Sequence, residues 1–232
     1  MYRRMALLDW TMVATMVLGV GVLLGKGQVH QLCERLSGGV PLRIGERGIG
    51  RTGMLLASSA FVAVAMRSLR RERSLLALLL CTGLVLCWVG DVAGYQGHFV
   101  PSAASFLVGH LFFAVGFMAT GLRWQRLGLA AAAVVISSSL LALWFLPHVP
   151  SSQKLLILGY IGVISLMVVS AWGAEHPNFR LLAMAACLFY ISDIAVAYWK
   201  FVPSSGNCAF LCYPLYYPAC MLLALGSRLR PN

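Results

Sequence analysis

Two aspartates stand in stretches where charge is otherwise missing: Asp91 in CWVGDVAGYQG (87–97) and Asp193 in FYISDIAVAYW (189–199). An ionised carboxylate within a membrane span costs about 2.5–3.5 kcal/mol on insertion scales, so a retained one points to function first. The chain has only seven acidic residues. A third of them in the apolar runs, Asp9, lies near the start of one run, where its carboxylate is expected to reach the interface. Two carboxyl groups sharing one pocket can divide the work of acid and base, one protonating a substrate and the other deprotonating water.

The elements that must hold these residues are apolar helices. The chain has 232 residues, of which 60% are hydrophobic and 11% charged, against about 25% charged in soluble domains. Eight apolar segments follow one another, at 6–24, 49–66, 74–92, 103–121, 127–146, 155–172, 181–199 and 212–227. Their lengths suit membrane spans. The expected fold is therefore all-α, a polytopic membrane protein with about eight transmembrane helices forming a single domain over 1–232. The first run follows Arg3 and Arg4 but has no small-residue cleavage site, and it reads as a span rather than a signal peptide. Residues 25–48 mix Gly, Pro and charges and read as a loop, partly interfacial.

The net charge of +11 does not indicate nucleic acid, because the basic residues fall in the short gaps between apolar runs. With eight spans, 11 of the 18 Lys and Arg residues lie on the face of the termini. Five of the remaining seven lie in or beside the long first loop. This bias predicts cytoplasmic termini, in a bacterial inner membrane or a eukaryotic endomembrane. Cys81, Cys87, Cys187 and Cys220 lie inside apolar runs, where a thiol acts as a small hydrophobe. Cys208 and Cys212 share a loop and could pair on an oxidising face.

At 1.5 Å per helical residue, Asp193 lies about 20 Å from Arg180, and Asp91 about 27 Å from Arg73. Both start from the same face and so belong to the same half of the bilayer. His110 enters from the opposite face to about 10 Å, level with Asp193, and Tyr160 reaches a similar depth. Tyr216 and Tyr217 enter the last span from that face as well. The convergence predicts a pocket open toward the face carrying Arg51, Lys154 and Lys200. Plainer readings stand beside it: a helix-to-helix hydrogen bond for Asp193 or His110, an interfacial place for Asp91, and belt positions for Tyr216 and Tyr217.

Four ordered blocks resemble the YhhN family of integral membrane proteins, whose characterised members are lysoplasmalogenases. They are Gly90–Asp91, FLVGHLFFAVGF (106–117) with His110, LGYIGVISLMVVSAW (158–172) with Tyr160 and Met167, and FYISDIAVAYWKF (189–201) with Ser192, Asp193 and Lys200. YYPACMLLAL (216–225) continues into the last helix. The chain departs from the family at Arg51–Thr52, where a Lys with a nearby Pro is usual, and at Phe113, where Tyr is common. The resemblance implies hydrolysis of the vinyl-ether bond of a lysoplasmalogen to a fatty aldehyde and a glycerophospho-headgroup. It makes Asp193 the expected acid and Asp91 the expected base. Lys200, about two helical turns beyond Asp193, is then placed for the phosphate, or is simply a lysine snorkelling at a helix end. His110, Tyr160 and Ser192 would position water or the ether oxygen, and Tyr216 and Tyr217 would line the site. No cofactor and no metal are expected, and the partners are the lysophospholipid and the bilayer.

Two rival classes use the same residues. A zinc-dependent lipid hydrolase would draw on Asp91, His98, His110 and Asp193, although HxxxH and HxxE spacings are absent. A proton-coupled transporter would use Asp91 and Asp193 as a relay, although internal repeats are lacking.

Overall fold

The computed structural model describes residues 7–36, 45–202 and 209–228. Among them the chain is helical throughout, with α1 (Leu7–Leu24), α2 (Lys26–Leu36), α3 (Glu46–Glu72), α4 (Leu75–Tyr95) and α5 (Phe99–Met118). There follow α6 (Trp124–Phe145), α7 (Lys154–Gly173), α8 (Phe179–Phe201) and α9 (Ala209–Gly226). All but α2 are long and apolar enough to cross a membrane, giving eight spans, and the protein is an integral membrane protein.

The expected loop at 25–48 is the main departure. Lys26 to Leu36 form a helix, and α3 has begun by Glu46. The apolar residues Val29, Leu32, Cys33 and Leu36 recur at i, i+3, i+4 and i+7, a helical stripe. The helix lies against α3, although Leu32 and Leu36 of the stripe stay exposed. Of the expected pair Cys208 and Cys212, Cys208 lies outside the described residues, as do Arg3, Arg4, Arg43 and Arg230.

Short turns make successive spans antiparallel neighbours. Arg73 ends α3 in the left-handed region (φ 46°), its N–H donating to the Leu69 carbonyl. Ser74 then caps α4 by accepting from the Ala77 N–H at 3.1 Å. The α5–α6 and α7–α8 turns are tied together, Arg123 N–H donating to Gly173 O at 2.8 Å and Glu175 N–H to Gly121 O at 2.9 Å.

Small residues bring the site-bearing helices close. A Cβ on Gly83 of α4 would lie 2.3 Å from the Phe113 ring and 2.9 Å from the Gly109 carbonyl of α5. Only glycine lets these backbones meet, as expected where lipid supplies no hydrophobic drive between helices. The core so formed buries Phe61, Phe113, Phe117, Met167, Phe189 and Tyr217. Leu129, Val135, Ile136, Leu140 and Leu143 of α6 stay exposed, as a lipid-facing surface requires.

Asp9, in the first turn of α1, is covered by protein. It is 1% exposed, and Arg228 grips it through two bonds, Nη1 to Oδ2 at 2.7 Å and Nη2 to Oδ1 at 2.9 Å. Arg67 Nε stands 3.5 Å from Oδ1. Arg228 Nε also donates to Ser68 Oγ at 2.9 Å, and Ser68 donates to the Ala224 carbonyl at 2.7 Å. A buried carboxylate survives here because a guanidinium fork matches it.

Candidate active site

Asp91 lies one turn before the end of α4, and Asp193 lies near the middle of α8. Both line one cavity of about 970 Å³, within the size range of small-molecule sites. The shared wall agrees with the depth expected for the pair.

Each aspartate is held by hydroxyl groups. Asp91 Oδ2 accepts from Tyr216 Oη at 3.0 Å and makes a very short contact with the Ser58 hydroxyl. Asp193, 18% exposed, accepts from Tyr160 Oη at 3.0 Å, also at Oδ2. Among the described residues the Oδ1 atoms of both aspartates have no hydrogen-bond partner. Neither carboxylate meets Lys or Arg within ion-pair distance among the described residues.

Aromatic rings brace the hydroxyl donors. Tyr216 meets Phe189 edge-on at 5.2 Å, Phe106 at 5.7 Å and Phe61 at 6.3 Å. Its backbone position is unusual, since Pro214 and Pro218 flank Tyr216 and Tyr217 inside α9. Each proline removes one helical hydrogen bond, and helices tolerate this in a membrane when neighbours support them.

His110 is fully buried, with its ring edge-on to Phe189 at 4.6 Å and to Tyr160 at 5.4 Å. Its Nε2 lies 3.7 Å from Asp193 Oδ2, and neither ring nitrogen has a hydrogen-bond partner among the described residues. It stands behind the cavity wall rather than on it. A histidine there can support Asp193 and Tyr160, but the expected direct contact with substrate does not fit its place. Ser192 is on the wall, yet its hydroxyl donates to the Phe189 carbonyl at 2.7 Å, one turn back in its own helix. That bond occupies the group expected to position water. Tyr160, Tyr216 and Tyr217 line the cavity as expected, and so does Lys200, whose ammonium lies 5.0 Å from the Phe99 ring centre.

The mouth differs from the expected one. Arg51 and Lys154 do not line it; Lys26, Glu46 and Arg47 do. The assumed loop hid these three, because their approach depends on α2 folding back onto α3. Ser58 was likewise missed: a serine in an apolar run reads as tolerated polarity until its partner is known. The wall supplied by α6 and α7 is apolar, formed by Leu141 and Phe145 of α6 and by Ile157, Ile161 and Ile164 of α7. Tyr190 faces it too, with its hydroxyl 2.8 Å from Ser138 Oγ, which is 2.7 Å from Ser165 Oγ.

Among the described residues, no three His, Cys, Asp or Glu side chains are gathered to hold a metal ion. His98 sits exposed before α5, off the cavity wall.

A family model described as the YhhN family matches residues 52–227, which include Asp91, Asp193 and every hydroxyl bonded to them. The chain belongs to the YhhN family. No curated protein and no solved structure matches it. YhhN membership is consistent with a membrane hydrolase, and the matched stretch begins after Lys26, Glu46 and Arg47.

Proposed function

We propose that the protein is a lysoplasmalogenase, adding water across the vinyl-ether bond of a lysoplasmalogen. The observation that carries the reading is the pair of aspartates on one cavity wall, each with one oxygen anchored by hydroxyl groups and one without a partner among the described residues. The anchored oxygen fixes the carboxyl group, and the other is left for chemistry. The cavity's apolar α6–α7 wall suits an alkenyl chain, and its charged residues Lys26, Glu46, Arg47 and Lys200 suit a glycerophospho-headgroup.

The reaction starts with proton transfer from Asp193 to the β-carbon of the enol ether. The C=C electron pair forms the new C–H bond, and the ether oxygen's lone pair stabilises the resulting oxocarbenium ion. Asp91 takes a proton from water as its oxygen bonds to the cationic carbon, giving a hemiacetal. Collapse of the hemiacetal moves its hydroxyl proton to the departing glycerol oxygen, releasing aldehyde and glycerophospho-alcohol, and the proton gained by Asp91 restores that on Asp193. Paired carboxylates manage a similar cation at glycosidic bonds. Tyr160 and Tyr216 keep the two groups oriented, with His110 packed behind Tyr160. Lys200 lies seven residues past Asp193, about 10 Å along α8, a reach that suits the phosphate. The charge bias of the loops supports cytoplasmic termini.

Purified protein should release aldehyde from a lysoplasmalogen and none from its saturated-ether analogue. In D₂O the aldehyde should carry one deuterium on the carbon next to the carbonyl. Aldehyde without that deuterium would rule out carbon protonation, and no aldehyde would overturn the reading.

A further inference from the structure

The proposed chemistry leaves the rim opposite α8 unassigned. There Lys26 opens α2, Glu46 and Arg47 open α3, and all three line the cavity. A Cβ at Gly50 would lie 2.3 Å from the Tyr95 hydroxyl and 3.1 Å from Lys26 Cδ, so the bare backbone admits both side chains. The Tyr95 hydroxyl donates to the Arg47 carbonyl at 2.8 Å. This bond ties the rim to the last turn of α4, one turn from Asp91. The Glu46 carboxylate rests over α2, with Oε1 3.6 Å from where a Cβ on Gly27 would stand.

Two cations and one anion thus share a wall. Even so, none of the three is ion-paired among the described residues. A wall of cations alone would favour a net anion. A carboxylate among them with no ion-pair partner among the described residues favours a ligand that carries both signs, and penalises one without a positive group.

We propose that this rim selects a zwitterionic headgroup, with Glu46 receiving the ammonium while Lys26 and Arg47 join Lys200 at the phosphate. Glu46 is then the specificity-determining residue. The assignment rests on the lysophospholipid reading of the cavity.

The test uses the full chain in detergent micelles and two non-cleavable probes of equal chain length, a 1-O-alkyl glycerophosphoethanolamine and a 1-O-alkyl glycerophosphate. Binding of each is measured to wild type, Glu46→Gln and Arg47→Met, followed by kcat/KM on the enol-ether counterparts. Glu46→Gln should weaken the ethanolamine probe about tenfold and leave the phosphate probe unchanged or tighter. Arg47→Met should weaken both, each about tenfold. If Glu46→Gln shifts both probes equally, or neither, the assignment is overturned. The two proposals fail separately. No aldehyde from wild type, with binding still selective through Glu46, removes the hydrolase reading alone. Aldehyde release with an unmoved selectivity ratio removes the headgroup assignment alone.

Discussion

The molecule buries carboxylates in two places and treats them in opposite ways. Near the ends of α1, α3 and α9, Asp9 is sealed from solvent and held by the Arg228 fork, with Arg67 close by. In the cavity, Asp91 and Asp193 meet hydroxyl groups and the edge of His110 among the described residues, and they face open volume. A carboxylate matched by a guanidinium is spent on architecture, because its proton and both its oxygens are committed. A carboxylate anchored through one oxygen by neutral donors keeps its position while remaining able to exchange a proton. The difference separates structure from chemistry more sharply than burial does.

The largest effect should come from the cavity pair. Asp193→Asn or Asp91→Asn should lower aldehyde release by about 10²–10⁴-fold, the range of lost acid–base catalysis, while the melting temperature holds. Wild-type turnover in either variant would break the contrast at its chemical end. At the other end, Arg228→Met should destabilise the bundle by about 3 kcal/mol, measured by denaturation in detergent, because Asp9 loses its main partner. Replacing both members, Arg228→Met with Asp9→Leu, should restore most of that loss. If the double substitution is as unstable as the single one, the ion pair is more than a matched burial.

A smaller effect sharpens the cavity side. Tyr160→Phe removes the hydroxyl bond on Asp193 and should reduce kcat about tenfold, with KM little changed. A larger rise in KM than fall in kcat would make Tyr160 a substrate contact instead. The smallest effect belongs to His176, in the turn between α7 and α8, which is 9% exposed and accepts from the Asn178 N–H at 3.2 Å. Burial lowers its pKa from the ordinary 6.5, with nearby Glu72 opposing. Below pH 6.5 the unfolded chain therefore takes up a proton that the folded chain resists, so stability should fall as pH drops below 6.5 and level off below the folded value. His176→Gln should flatten that part of the curve.

The spans were legible because hydropathy is a local property: a run such as 74–92 announces α4 without reference to anything else. The aspartates were legible for the same reason, as charge in the wrong place. Their partners were not. Ser58 and Asp91 are 33 positions apart, and Tyr216 is 125 from Asp91. These meetings depend on how α3 and α9 pack against α4, which periodicity does not decide. The α2 helix was hidden for a different reason. Its stripe at Val29, Leu32, Cys33 and Leu36 is present in the sequence, but the glycines and charges around it gave it the composition of a loop. The burial of Asp9 was not legible, because it depends on Arg228, which read as an ordinary basic flank.

The span of 219 positions between Asp9 and Arg228 also sets a schedule for biogenesis. At synthesis rates of about 5–20 residues per second, roughly 10–45 s separate the two residues at the ribosome. During that interval α1 has entered the membrane with a carboxylate whose main counter-charge has not yet been made. Until α9 is made, Asp9 lacks the guanidinium fork that grips it in the finished fold, and a chain that stops short of Arg228 never gains it. The Asp9–Arg228 pair can therefore close only after the last helix has been made, so the first helix gains its full set of partners last.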